Sequence, residues 1–462
     1  MVVATTEPVR LPPMLRLPKL IQGIGFGPFK HQMFGALHNR WGTPFAINLP
    51  LLGQTVVVSD PVLLKDIFST SFDLIERPVD ILSLGEIFGP GSTFALNGDE
   101  HLNRRKLLAP AFHGKQLKSY ERIVEEEVMY ETATWREGEE FETEEPMLRL
   151  TLGTILRAVF GAEGAALDEL RGLMPVMVKL GSRLVMMPPP VRRDYGPWSP
   201  GGRLARYRRR FDAAINSLIA DARDDPNFEE RGDMLAVLMR ARYNNGEQVP
   251  DSHIADELLC FLGAGHETSA SQLTWTLERL RRHPELLSRL ADEIDAGGSE
   301  LRHATIWEAQ RIRPCVDGTV RRTKQRIRLG EWVLPERTAL IVYNELAHKS
   351  EDNFPDAMTF DPDRFLGASP PPFKWVPFGG GVHRCPGASF ANMEMDVVMR
   401  TLLREFRFVP SDARGEWRIN RGVAWMPSRG GRAVVYRRTS STSSDAGSVS
   451  VANHGGGPQQ KH

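Results

Sequence analysis

A single cysteine carries the clearest chemical signal in this chain. Cys385 lies in residues 378–387, where three glycines and a His-Arg pair precede it, and an apolar run over residues 388–403 follows. Glycine allows a backbone to approach a ligand closely, and such a run is typical of a helix. Backbone N–H groups and the helix dipole at such a junction stabilise a thiolate, which predicts a lowered pKa. The segment therefore indicates a soft, electron-rich ligand for a metal.

Zinc is the competing metal for such a ligand. The chain has only three cysteines, which are Cys260, Cys315 and Cys385. They are far apart and lack the Cys-x-x-Cys spacing of a structural zinc site. His266 and Glu267 begin the pattern of a zinc protease motif, but Ala270 stands where the second histidine belongs. The residues give zinc little support, although a lone cysteine is also commonly a small buried apolar residue.

A second group of residues lies in the middle of a predicted helix. Residues 254–277 have a helical apolar pattern that Gly263 and Gly265 interrupt, and each glycine costs about 1 kcal/mol relative to alanine. Phe261, Gly265 and Thr268 share a face, which predicts that something flat and bulky lies against the helix. Thr268 can also donate to the carbonyl four residues earlier and open the helix locally. A kink at a packing contact is the simpler explanation of this segment taken alone.

The two segments together resemble the cytochrome P450 family. Residues 378–387 are similar to its haem-binding loop, Phe-x-x-Gly-x-His-x-Cys-x-Gly. Residues 264–269 are similar to the pattern Ala/Gly-Gly-x-Asp/Glu-Thr-Thr/Ser of its long distal helix. The resemblance implies that Cys385 is the axial thiolate ligand of a haem iron, which favours O–O cleavage. It also implies that Phe378 and Ala264 contact the haem.

The resemblance further implies how protons reach dioxygen. Thr268 and Glu267 stand at the positions that serve proton delivery in the family. A hydroxyl and a carboxylate beside a chain of water molecules form a reasonable proton relay. We therefore expect both residues to be catalytic.

Basic residues at three places are implied to bind the haem propionates. His101 and Arg105 lie in a segment similar to the family's Trp/His-x-x-x-Arg helix, with histidine where many relatives have tryptophan. Arg321 matches the arginine that follows the Glu-x-x-Arg helix, and its neighbour Arg322 is the alternative. His383 stands where arginine is commoner in the family. Taken singly, each of these is more commonly a solvated surface charge.

Three charged residues are implied to support residues 378–387, the cysteine loop. Glu308 and Arg311 form the family's Glu-x-x-Arg pair, and Arg364 comes from a downstream Asp-Pro-Asp-Arg-Phe segment. Taken alone, a pair three residues apart on a helix is common and weak. The similar segments occur in the family's order, and the resemblance covers about residues 20–436. We treat these three residues as scaffold around the metal ligand rather than as catalysts.

Composition excludes several classes of protein. The 462 residues are 41% hydrophobic and 25% charged, and the formal net charge is zero, which suggests neither nucleic acid nor membrane as a partner. No cleavage signal and no run of about 18 apolar residues is present, so we expect a cytoplasmic protein without a membrane anchor. Length allows three domains, but no linker divides residues 20–436. We expect a proline-containing arm at 1–19, a catalytic domain at 20–436 and a disordered tail at 437–462.

The resemblance implies the fold and the site together. The expected fold is mainly α with a small β-rich region, which includes two strands at 44–49 and 55–59. In this cytochrome P450 fold, haem b lies between the distal helix and the Cys385 loop. Residues 186–203, rich in proline, are expected to form a long loop and a candidate lid. The substrate pocket is expected from residues 80–97, 175–198 and 316–319.

The implied reaction is monooxygenation. One oxygen atom of O2 enters a lipophilic organic substrate, and the other leaves as water. Since the chain has no flavin or iron–sulfur segment, electrons are expected from a ferredoxin and its reductase. A peroxide-driven enzyme or isomerase keeps the haem but often lacks the acid–alcohol pair. A non-catalytic haem sensor or ligand carrier is the alternative from another class.

Overall fold

The structure is a computed structural model. It describes residues 1–27, 29–79, 84–112, 114–185, 187, 189–243 and 245–438. The predicted disordered tail therefore lies outside the described residues, apart from Arg437 and Arg438.

Helices make up most of the described chain, as predicted. In chain order they are α1 (Lys19–Phe26), α2 (Lys30–Trp41), α3 (Pro61–Phe68), α4 (Leu84–Phe88), α5 (Gly98–Leu108), α6 (Gly114–Thr132), α7 (Glu144–Thr154), α8 (Gly164–Val185), α9 (Pro189–Arg192), α10 (Pro200–Asp224), α11 (Met234–Arg240), α12 (Asp251–Leu280), α13 (Pro284–Asp295), α14 (Glu300–Ile312), α15 (Asn344–His348) and α16 (Ala388–Glu405). A π-helical segment, Ile155–Val159, continues α7. Short 3-10 turns occupy Ala109–Phe112, Phe228–Glu230, Pro362–Phe365 and Gly381–His383.

The strands are short and form small sheets. They are β1 (Val3–Ala4), β2 (Phe45–Leu49), β3 (Gly53–Val58), β4 (Ile75–Glu76), β5 (Phe141–Glu142), β6 (Gly318–Thr323), β7 (Ile327–Leu329), β8 (Trp332–Leu334), β9 (Ala339–Tyr343), β10 (Phe406–Phe408), β11 (Arg418–Asn420), β12 (Trp425–Pro427), β13 (Arg432–Ala433) and β14 (Val435–Arg437). The largest sheet has the order β2-β3-β9-β6-β4.

The predicted pair of N-terminal strands is confirmed as β2 and β3. They pair antiparallel, with Phe45 opposite Val57, and β3 then pairs parallel with β9, with Thr55 opposite Ala339. Three other strands of this sheet come from distant parts of the chain. The β-rich region therefore joins the N-terminus to residues 318–343, a pairing that local sequence patterns do not show.

The long helix α12 runs through the apolar core. Leu258 and Leu262 are fully buried in one core cluster, and Leu273 and Leu277 are buried in a second. Helix α16 packs into the second cluster through residues such as Val398. The core thus fixes α12, which carries residues 264–269, and α16, which begins directly after the cysteine loop.

The predicted long loop at 186–203 is wrong at residues 189–192 and 200–203, which are helical. The described part contains α9, and α10 already begins at Pro200, with Ser199 accepting a hydrogen bond from the backbone N–H of Gly202. Proline is favourable in the first turn of a helix because its missing N–H has no partner there anyway. The prolines of this stretch therefore start helices rather than prevent them. Residues 186 and 188 lie outside the described residues.

Candidate functional site

The cysteine loop is held by its own backbone and by helix α3. The N–H of Cys385 donates to the carbonyl of Phe378 at 2.9 Å, and Gly379 and Gly381 both have a φ of +64°, a conformation that favours glycine. A Cβ on Gly381 would collide with the backbone of Phe68. The close approach that these glycines permit is therefore at least partly to the protein itself, and not only to a ligand as expected.

The side chain of Cys385 is exposed, although many protein atoms lie near its thiol. Burial raises its pKa, while the backbone N–H of Gly387 and the guanidinium groups of Arg105 and Arg384 lower it. The expected net lowering is therefore wrong for the thiol by itself. Since a coordinating metal deprotonates its thiol ligand outright, the protein supplies an accessible thiol with two cations beside it.

The middle of α12 shows why it contains glycine. A Cβ on Gly263 would lie 2.5 Å from Cε1 of Phe88, and one on Gly265 would lie 3.0 Å from Cδ1 of Ile155. These are packing contacts, but Phe261, Gly265 and Thr268 are all partly exposed, so the expectation that their face leaves room for a flat ligand stays a prediction. The predicted hydrogen bond from Thr268 Oγ1 to the carbonyl of Ala264 is present, at 2.6 Å.

Glu267 points to a different partner from its neighbour Thr268. Its carboxylate is 7% exposed and accepts a hydrogen bond of 2.7 Å from Ser182 Oγ on α8. Burial raises the pKa of Glu267; the hydrogen bond from Ser182 and the charge of Arg421 oppose this, and Glu144 adds to it. A carboxyl group with a raised pKa accepts a proton more readily than an exposed one. Sequence reasoning missed Ser182 because nothing local distinguishes one serine of α8 from another.

Two histidines from distant segments contact each other: His383 of the cysteine loop and His101 of α5. His383 Nδ1 lies 3.3 Å from Nε2 of His101. Burial, together with the charges of Arg77, Arg105 and Arg321, lowers the pKa of His101 to about 3 and that of His383 to about 2. The basic cluster consists of these two histidines and three arginines: His101, His383, Arg77, Arg105 and Arg321.

Arg321 belongs to the basic cluster, whereas its alternative Arg322 does not. Successive side chains of a strand point to opposite faces. Arg321 is 5% exposed and faces the cluster, with its Nη1 donating to Thr319 Oγ1 at 2.7 Å. Arg322 points away and pairs with Glu76 at 2.6 Å.

Arg77 is a member of the basic cluster that sequence reasoning missed. Its Nη2 donates to the carbonyls of Thr93 and Leu96, both at 3.1 Å. Burial lowers its pKa to about 10. The only sequence signal was its place just before residues 80–97, and that does not distinguish it from a surface arginine.

The basic cluster fits an anionic group such as the propionates of a haem. Nε of Arg77, Nδ1 of His101 and Nε2 of His383 are buried without a hydrogen-bond partner in the described chain. Buried polar atoms are nearly always paired in proteins. No carboxylate is among the groups that shift the pKa of either histidine. Because the two neutral rings share one hydrogen bond, one of their free nitrogens carries a proton. That N–H and the N–H of Arg77 are the unpaired donors that a propionate could accept from.

Glu308 and Arg311 form a fully buried ion pair, as the resemblance implied. Nε and Nη2 of Arg311 each lie 2.7 Å from a carboxylate oxygen of Glu308, and both side chains are 0% exposed. Arg364 Nε reaches the same carboxylate at 3.3 Å. Arg311 also donates to the carbonyls of His348, Ala357 and Thr359. Such a bidentate, fully bonded geometry is what makes a buried pair tolerable.

His348 connects this ion pair to the cysteine loop. Its Nδ1 lies 3.1 Å from the carbonyl of Arg311, and its Nε2 accepts from the backbone N–H of Val376 at 2.9 Å. Burial, together with the charge of Arg311, lowers its pKa to about 3. The ring is therefore neutral at physiological pH, with Nδ1 as donor. His348 was also missed, because its role depends on contacts between distant segments.

An apolar cavity of about 30 Å³ lies against α12. It is lined by Ile87, Phe88, Met177, Val178, Gly181, Ser182, Val185, Leu204, Leu259, Gly263 and Val423. Residues from the expected regions 80–97 and 175–198 take part, whereas none of residues 316–319 does. Asp317 is instead paired with Lys30 at 2.7 Å.

Comparison with known proteins identifies the family. A profile described as "Cytochrome P450" matches residues 10–432. "Putative cytochrome P450 138" of Mycobacterium tuberculosis is 49% identical over 431 residues, which are 93% of this chain and 97% of that protein. "Putative cytochrome P450 135B1" of the same organism is 33% identical over 98% of each chain.

A solved structure shows the same fold. "Retinoic acid bound cyanobacterial CYP120A1" superposes with a TM-score of 0.81 and 23% identity, covering 93% of this chain and all of that one. None of the helices in the described ranges is long and apolar enough to cross a membrane. The fold, the thiol and the basic cluster thus agree with the family match, and the chain belongs to the cytochrome P450 family of haem-thiolate monooxygenases.

Proposed function

We propose that this protein inserts one oxygen atom of O2 into a lipophilic substrate bound beside α12. The apolar cavity carries this proposal, since its one side-chain hydroxyl, that of Ser182, is already engaged with Glu267. A site with so few polar groups favours a lipophilic ligand. Phe88 and α8 both line the cavity and would contact such a ligand.

In this proposal the cofactor is haem b. Cys385 would provide the thiolate ligand, Phe378 and Ala264 would contact the macrocycle, and the basic cluster would bind the propionates. When bound, the haem supplies the oxygen-activating redox chemistry. The surrounding residues orient the cofactor and exclude bulk water from the substrate.

Thr268 and Glu267 move protons in this proposal. Burial raises the pKa of Glu267, which makes its carboxyl group easier to protonate than an exposed one. The hydroxyl of Thr268 binds the carbonyl of Ala264 and leaves its oxygen lone pairs available to accept a hydrogen bond. Together they offer a carboxyl and a hydroxyl on one turn of α12.

Replacing Thr268 with alanine tests this proton role. The variant should consume reduced nicotinamide through the redox partners at a rate similar to wild type. Its yield of oxygenated product per nicotinamide should fall about tenfold or more, as for loss of a positioned proton donor. Product and nicotinamide are measured together. Thr276→Ala is the matched control, since Thr276 makes the same bond to the carbonyl four residues earlier, at 2.8 Å. Equal coupling in both variants would count against the proton role.

Replacing Arg321 with glutamine tests the propionate assignment. Haem affinity should fall about 10- to 100-fold, as for loss of a partner next to a metal site. The loss is measured as transfer of haem to an excess of apomyoglobin. Arg322→Gln should retain haem, because Arg322 pairs with Glu76 away from the basic cluster. A larger loss in the Arg322 variant would reverse the assignment.

We also propose a ferredoxin and its reductase as the electron donors. Arg384 is exposed at the cysteine loop, which suits an acidic partner. The free thiols of all three cysteines support a cytoplasmic location. Substrate-dependent consumption of reduced nicotinamide with product formation tests the whole proposal. Product formation with peroxide but none with reduced nicotinamide and the redox partners would contradict it. Ligand binding without any product would contradict it as well.

A further inference from the structure

Helix α1 displays its apolar side to solvent. Leu20, Ile21 and Ile24 are 74%, 52% and 65% exposed. The buried side of the helix instead carries Gln22, which is 2% exposed and whose carboxamide accepts from the N–H of Asn48 at 2.7 Å. A helix on a water-soluble surface normally has the opposite arrangement.

The exposed apolar residues continue beyond the helix. Leu17, just before α1, is 48% exposed, and Leu51, in the turn between β2 and β3, is 64% exposed. The turn lies against the helix, because a Cβ on Gly23 would be 2.7 Å from Cγ of Pro50. The residues of this N-terminal apolar surface are Leu17, Leu20, Ile21, Ile24 and Leu51.

The charge around this surface has one sign. Between Glu7 and Asp60 the chain has no acidic residue, although it contains 58 acidic and 58 basic residues in all. The lysines and arginines of this stretch are Arg10, Arg16, Lys19, Lys30 and Arg40. Arg10 and Lys30 are paired with acidic residues from elsewhere, while Arg16 and Lys19 are exposed beside α1. The neutral total charge therefore conceals a local positive region.

We propose that the N-terminal apolar surface docks on an anionic lipid bilayer. Outward apolar side chains with exposed basic side chains beside them are typical of helices that lie in a membrane interface. Eight residues rise about 12 Å in a helix, so α1 lies in the interface and does not cross the bilayer. A second copy of this chain fits less well, because pairing would bring two positive surfaces together.

Vesicle binding by the intact haem-loaded protein tests this proposal. Sedimentation measures partition into vesicles of phosphatidylcholine with and without phosphatidylglycerol. Binding should require phosphatidylglycerol and weaken with salt, and Lys19→Gln should reduce it about fivefold. The double variant Leu20→Glu, Ile24→Glu should lose more than about 100-fold, since burying each side chain is worth at least about tenfold.

The matched control is Met358→Glu, because Met358 is 65% exposed, like Ile24, and lies outside this surface. It should bind vesicles as wild type does. Circular dichroism and carbon monoxide spectra should be unchanged in all variants, since every substituted side chain is exposed. The proposal is overturned if the wild type does not bind anionic vesicles, or if the double variant binds equally. It is also overturned if the double variant only abolishes self-association, or binding of an acidic protein, while vesicle binding is unaffected.

Discussion

Replacement of Cys385 by alanine should abolish the strongly red-shifted Soret band of the dithionite-reduced, carbon monoxide-treated protein. Monooxygenation should fall by more than about 100-fold, because losing even an outer partner of a metal ligand costs roughly 10- to 100-fold. The fold should survive, since the thiol is exposed within the loop and the loop is held by backbone contacts such as that to Phe378. Absorption spectra and far-ultraviolet circular dichroism measure the two effects separately.

The other two cysteines provide controls for this experiment. Burial raises the pKa of Cys260 well above its ordinary value and that of Cys315 to about 12. Cys260 is also buried and Cys315 half-buried, whereas Cys385 is exposed, so access separates the three thiols. Cys260→Ala and Cys315→Ala should keep the red-shifted band. A wild-type spectrum in the Cys385 variant, or its loss in either control, would show that the thiolate assignment is wrong.

Replacement of Arg311 by alanine should destabilise the protein by about 3–5 kcal/mol, the usual cost of breaking a buried ion pair. The change leaves the fully buried carboxylate of Glu308 with Arg364 as its remaining cation. It also removes the donors to three backbone carbonyls around His348 and Thr359. Urea unfolding followed by circular dichroism measures the free energy change. Haem content should fall as well, because His348 links this pair to the cysteine loop through Val376.

An exposed pair with the same spacing is the control. Arg136 and Glu139 are three residues apart, 3.6 Å between their charged atoms, and 78% and 64% exposed. Removing Arg136 should change the free energy of unfolding by about 0.5 kcal/mol or less. Comparable losses in Arg136→Ala and Arg311→Ala would mean that burial of the pair does not determine its contribution.

The motifs near Cys385 and Thr268 could be predicted because chemistry fixes several residue types at short spacing. The helical character of most of the chain also follows from local patterns. Arg77, Ser182 and His348 could not be predicted, since each acquires its partners from segments 16 to 85 positions away. Local sequence carries no record of such contacts.

Two residue types had a role that the sequence did not show. The glycines of α12 were interpreted as space for a ligand, and Gly263 and Gly265 also make room for Phe88 and Ile155. The prolines of residues 186–203 were interpreted as a loop, whereas Pro200 starts a helix. In both cases the residue type indicates a backbone constraint, and only the packing decides which constraint it is. The sheet that joins residues 45–58 to 318–343 depends on the same kind of distant contact.

The basic cluster has a consequence for the stability of the chain without its cofactor. Its arginines repel one another at close range inside the protein, and in the function proposed above the propionates of the haem would neutralise that repulsion. Any ligand that binds only the folded chain stabilises it by mass action, by about 2.7 kcal/mol at 100 times its dissociation constant. The haem-free chain is therefore expected to unfold at a lower concentration of urea than the haem-loaded chain.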